Sequence, residues 1–148
     1  MLCEGRLKCA TFAGIGFVLG DLCRPPFREH SFDAITMSYG LRYLDDLRGS
    51  LEDIHRMLKP GGVFVCLDFG LPRNLWYRRL CLGYLLAFGT LWGLLLHRRA
   101  DTYWHIVESL RAYPGQYAVG RLMKEAGFAD IKVEERLGGI SAIIRGAK

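Results

Sequence analysis

The chain has 148 residues, 51% hydrophobic and 24% charged, which suits one packed domain and excludes a disordered tail. Of its 20 basic residues, five (Arg73, Arg78, Arg79, Arg98, Arg99) lie between positions 69 and 100, where there is no acid. The net charge of +5 is therefore confined to the most apolar stretch of the chain, unlike the spread basic surface of a nucleic-acid binder.

Five cysteines (Cys3, Cys9, Cys23, Cys66, Cys81), none in a CxxC pair, argue against a zinc site or disulfide framework and for a reducing compartment. No metal is expected. The first 20 residues imitate a secretory leader, with basic residues before a short apolar run. Glu4 and the lack of a small-residue cleavage site argue against export.

Residues 15–19 form an apolar run closed by Gly20 and Asp21, predicted to be a buried strand. Gly14, Gly16 and Gly20 imitate a dinucleotide fingerprint, but Pro25 and Pro26 stand where its helix would begin. Residues 32–39 (FDAITMSY) read as a second strand, stopped by Gly40. Leu44, Leu47, Leu51, Ile54 and Leu58 recur at spacings of three and four, predicting an amphipathic helix. LKPGG (58–62) ends it, because Pro60 cannot continue a helix. The run VFVCLDF (63–69) is apolar enough for a strand covered on both faces.

Further on, residues 101–113 and 114–126 are predicted helices, the second opened by Pro114 and followed by Gly127. Residues 128–136 and 140–145 are predicted strands joined by Leu137, Gly138 and Gly139, an antiparallel hairpin at the sheet edge. Strand–helix–strand with short links implies a right-handed parallel unit. Ligands of such sheets sit beyond the carboxyl ends of the strands. That rim is predicted to hold residues 20–22, 38–42 and 68–70.

Four segments in this order, GDLCRPPF (20–27), SFDAITMSYGLRY (31–43), HRMLKPGG (55–62) and VCLDF (65–69), resemble the ubiquinone/menaquinone biosynthesis C-methyltransferases. DTYWHIVESLR (101–111) and the closing GGI extend the likeness over about residues 15–148. The resemblance implies an α/β fold. It would be an incomplete Rossmann-like class I methyltransferase sheet with a closing antiparallel hairpin and a helical lid insertion at 73–113. The family's glycine-rich first strand–loop and the acidic residue ending its second strand have no counterpart here. The whole of 1–148 thus reads as a partial methyltransferase domain, the carboxyl-terminal portion.

By the same resemblance, S-adenosyl-L-methionine is the cofactor, contacted by Asp21, Leu22 and Ser38. Arg42 and Asp68 are the catalytic candidates. Arg42 follows a strand end, and a guanidinium there can stabilise the oxyanion of a quinol ring; Asp68 can act as base or as a cofactor contact. The family often has Glu-Phe-Ser in place of Asp68-Phe69-Gly70, which keeps a carboxylate, and Arg-Asn in place of Arg42-Tyr43, which loses an amide. His105 reads as a helix-face histidine.

Residues 80–97 carry no formal charge over 18 positions, slightly short of the ~20 a membrane span needs. Arginine pairs at both ends suit an interfacial lid over a prenyl-tailed substrate at an anionic membrane face. The expected activity is methylation of a ring carbon of a demethylated prenyl-quinol, in the cytoplasm with peripheral contact at the membrane. A partner chain would supply the missing amino-terminal half, and nucleic acid is not a partner. Two alternatives stay open: a non-catalytic remnant or split-enzyme half that associates with a membrane or partner, and a C-methyltransferase acting on another lipid.

Overall fold

The computed structural model describes residues 4, 5, 8, 13–97 and 104–148. Residues 98–103 and much of the leader-like start lie outside the described residues, as does the side chain of His105.

Strand β1 (Phe32–Ser38) is followed by a single 3-10 turn (Leu41–Tyr43) and helix α1 (Leu47–Met57). Asp46 caps α1 by accepting the Gly49 amide at 2.9 Å, satisfying a donor the helix start leaves free. The face predicted from the leucine spacing is the one buried: Leu51, Ile54 and Met57 pack inward.

Strand β2 (Leu58–Phe69) starts five residues before the expected Val63. Leu58 pairs with Phe32 and Val63 with Ala34, so Pro60 and its glycines form a bulge within the strand. Proline ends the helix as expected; the bulge lets the chain pass straight into the sheet. Beyond it, Phe64, Cys66 and Asp68 are buried on one face, and the intervening residues are half-covered on the other.

Helix α2 (Leu75–His97) and helix α3 (Trp104–Ala112) occupy the stretch between β2 and Tyr113. Helix α4 (Gln116–Glu125) begins two residues after Pro114, because Gly115 at φ 92° is its N-cap. Strands β3 (Ala129–Arg136) and β4 (Ser141–Ala147) form the expected hairpin. The sheet order is β1-β2-β4-β3, with β1 parallel to β2 and β4 antiparallel to both its neighbours. The core lies on one side, where Phe64 and Ile144 meet Leu51, Ile54, Val119 and Met123.

One expectation fails. Residues 15–19 are not a strand: they are irregular and exposed, Leu19 to 84% and Val18 to 56%. An apolar run becomes a strand only when a neighbour satisfies its backbone groups, and among the described residues none pairs with it.

Candidate functional site

β1 ends in a sharp turn. Tyr39 holds φ 55°, a left-handed conformation that costs a side-chain-bearing residue roughly 1–2 kcal/mol. Its amide still donates to the Leu67 carbonyl at 2.8 Å, so the turn happens while β1 is tied to β2. Gly40 has an ordinary backbone at φ −112°; it is small because a Cβ there would sit 3.1 Å from the Met37 side chain. One 3-10 turn then delivers Arg42 over the end of β2.

Arg42 and Asp68 meet there, Nε to Oδ1 at 3.5 Å, with side chains only 4% and 2% exposed. The guanidinium is boxed by rings, 4.6 Å from the Phe69 centroid, 4.9 Å from Tyr43 and 5.9 Å from Tyr39. Cation–π attraction of this kind strengthens when the cation is desolvated. The Asp68 Oδ1 also accepts the Phe69 amide at 2.8 Å. Burial raises the Asp68 pKa above the usual carboxylate value, with Arg42 and backbone amides opposing it. Cys66, on the same face of β2, is pushed up to about 12 by burial and then by the Asp68 charge.

The pair is not saturated. Arg42 Nε and Nη1 and Asp68 Oδ2 are buried without a hydrogen-bond partner, as is the hydroxyl of Tyr113. Such groups are rare in folded proteins, and unpaired polar atoms at a strand-end rim mark a candidate ligand site.

Of the residues singled out from sequence, Ser38, Arg42 and Asp68 come together at this rim; Ser38 pairs with Leu67, next to Asp68. Asp21 and Leu22 lie in a separate turn. The Asp21 carboxylate accepts the Cys23 amide at 2.9 Å and its carbonyl accepts from Arg24, so its bonds stay within its own exposed turn. Phe27, further along, packs on Phe32 at the other end of β1 from Ser38. No hydrogen bond, ion pair or ring contact among the described residues links Asp21 or Leu22 to Arg42 or Asp68.

The ring box and Tyr113 were missed. The box had a signal in SYGLRY, where tyrosines flank the arginine three positions before and one after. Tyr43, standing where the family often has an amide, contributes a ring face instead. Beside the site, Phe69, Ile140 and the α2 residues Leu80, Cys81, Tyr84 and Leu85 enclose an apolar cavity of about 380 Å³.

The parallel strand pair with its site beyond the carboxyl ends, closed by an antiparallel hairpin, matches part of the class I S-adenosylmethionine methyltransferase fold. A solved SAM-dependent methyltransferase from Thermotoga maritima superposes with a TM-score of 0.64 at 20% identity, over 99% of this chain and 70% of that one. Within that class the chain belongs to the ubiE/COQ5 methyltransferase family, whose profile matches residues 1–148. The demethylmenaquinone methyltransferase of Geobacillus kaustophilus is 32% identical over 98% of this chain. That of Staphylococcus aureus is 32% identical over 100% of it. The chain spans 62% and 61% of the length of these two relatives.

Proposed function

We propose that the protein serves methyl transfer from S-adenosylmethionine to a ring carbon of a demethylated prenyl-quinol, with Arg42 and Asp68 at the reacting ring. The observation that carries this is the buried, unsaturated Arg42–Asp68 pair beyond two parallel strand ends, next to an apolar cavity.

A ring carbon attacks a methyl group when its neighbouring hydroxyl is ionised, yet a phenol titrates near ~10. Asp68, its pKa raised by burial, is a stronger proton acceptor than an exposed carboxylate and would take the hydroxyl proton. Arg42, fixed between three rings, would hold the oxyanion with no reorganisation.

The cofactor supplies an electrophilic methyl on a sulfonium. The residues present suit its adenine edge alone: the exposed Ser38 hydroxyl at the rim, and the Asp21 carboxylate with the Leu22 amide in their turn. This sequence shows no strand–glycine loop–helix that would hold the remainder.

The apolar cavity would take the first part of a prenyl tail, with residues 73–113 as its lid. Trp76, Leu80, Tyr84, Phe88 and Leu91 recur along α2 at spacings of four, four, four and three, all exposed. Leu80 and Tyr84 belong to both stripe and cavity. Arg79 lies over the Trp76 ring at 5.8 Å, and Arg73 is 72% exposed. Aromatic and aliphatic side chains among arginines suit the surface of an anionic membrane, from which a tailed substrate would enter. Among the described residues no helix is long and apolar enough to cross a membrane.

A second reading, association without catalysis, is favoured by the outer edge of β1, which has no strand partner among the described residues. A partner chain would pair with that edge. Quinone extracts from cells lacking the gene test the main reading. Accumulation of a demethylated quinone, reversed by the wild-type gene and not by an R42M copy, supports it; unchanged quinones refute it and leave another lipid as acceptor. Calorimetric titration with S-adenosylmethionine separates the second reading, which predicts no binding by this chain alone.

A further inference from the structure

Tyr113 sits at the end of α3, its amide bonded to the Ser109 carbonyl at 3.0 Å, and leads directly into Pro114. It is 4% exposed, so its hydroxyl is as deeply buried as the ring that carries it. That hydroxyl has no hydrogen-bond partner. A phenylalanine would fill the same space without stranding a polar atom, so packing does not account for the oxygen. Burial raises the Tyr113 pKa, the Asp68 carboxylate and Cys66 raise it further, and Arg42 opposes them. The hydroxyl therefore keeps its proton at every physiological pH, and it feels the charges of Asp68 and Arg42. Arg42 and Tyr113 also line one cavity of about 620 Å³, with Tyr43 and the exposed Asp45 at its wall.

The unpartnered atoms complement one another in chemistry: Arg42 and Tyr113 offer donors, and Asp68 Oδ2 offers an acceptor. A phenolic hydroxyl satisfies both, giving its proton to Oδ2 while its oxygen accepts from the donors. We propose that Tyr113 is a substrate-contacting residue whose hydroxyl donates to the ring oxygen of the acceptor, beside Arg42. The inference rests on the quinol reading above and deepens it, adding a donor from the end of α3 to the phenolic oxygen that reading already requires. It also means that the segment carrying α2 and α3 completes the reacting centre as well as covering it.

The test uses the full chain, 2-naphthol as the probe, and ultraviolet absorbance to follow naphtholate across pH. The wild-type protein is expected to bind the probe and to ionise it at lower pH than in free solution. Tyr113→Phe should weaken binding about tenfold, the equivalent of one hydrogen bond to an anion at ~1.4 kcal/mol per decade. It should also move ionisation of the bound probe about one pH unit higher while leaving the melting temperature unchanged or raised. Equal affinity and equal ionisation in the two proteins overturn the proposal while leaving the Arg42–Asp68 ring site standing. No shift of the probe by the wild type overturns both.

Discussion

Replacing Arg42 with methionine keeps a long unbranched side chain among the Tyr39, Tyr43 and Phe69 rings and deletes the charge. Asp68 is then a buried carboxylate without its cation, and breaking a buried pair in this way costs about 3–5 kcal/mol. For a chain of this size that is roughly 10–15 °C in Tm. The loss depends on pH, because Asp68 can escape it by taking a proton. Its folded pKa already lies above the unfolded value near ~3.9, so the folded state holds the proton more firmly. The associated stability is complete below the unfolded value and disappears as pH rises through the folded one. Without Arg42 that folded value climbs further, so the R42M deficit should be small near about pH 4 and reach its full size toward neutrality.

Asp68→Asn has nothing to titrate at this position, so it should lack the fall in stability that Asp68 gives the wild type with rising pH, and its deficit should shrink toward neutrality. The double variant R42M/D68N removes both charges and should lose less than the sum of the singles, by about 0.5–3 kcal/mol. Thermal melts followed by circular dichroism from about pH 4 to 8 read all three. An R42M deficit independent of pH, or a double variant whose losses simply add, would refute the argument that the two charges are buried against each other.

Other parts of the structure give sharp expectations. A Cβ at Gly70 would run into the Gly139 carbonyl, so Gly70→Ala should cost about 1–3 kcal/mol by urea unfolding; a neutral result would show that the hairpin turn can move aside. Gln116 accepts the Leu71 amide at 2.8 Å and donates to the Leu71 carbonyl at 3.2 Å, so Gln116→Leu should speed hydrogen exchange at Leu71 at least tenfold. Burial and then the Lys148 charge lower the His55 pKa, so stability present above the unfolded value near ~6.5 is lost as pH falls through the folded one. His55→Phe should flatten that acid-side slope in thermal melts, and an unchanged slope would assign it to another group.

The parallel strand pair, α1 and the closing hairpin were legible because each was written in a local pattern: the leucine spacing of α1, the unbroken run VFVCLDF, and the Leu137-Gly138-Gly139 turn. Arg42 and Asp68 were legible because each follows or ends a strand, and parallel register brings adjacent strand ends together. Residues 15–19 misled because hydrophobicity records a wish to be buried and says nothing of a partner. Tyr113 was invisible for the opposite reason. It stands 45 positions beyond Asp68 in a helix that reads as ordinary, and only the folded chain puts it with Arg42 at the wall of one cavity.

The placement of β4 has a consequence for synthesis. It is last in chain order yet lies between β2 and β3, and its neighbour Lys148 bonds back to Gly61 and Gly62 in the β2 bulge and to the carbonyls of His55 and Arg56. While the ribosome is still making residues 141–147, β2 and β3 have a gap between them and no ladder to share. The nascent molecule therefore keeps its half-built sheet open until then, and chaperone occupancy should fall only after residues 141–147 have cleared the exit tunnel.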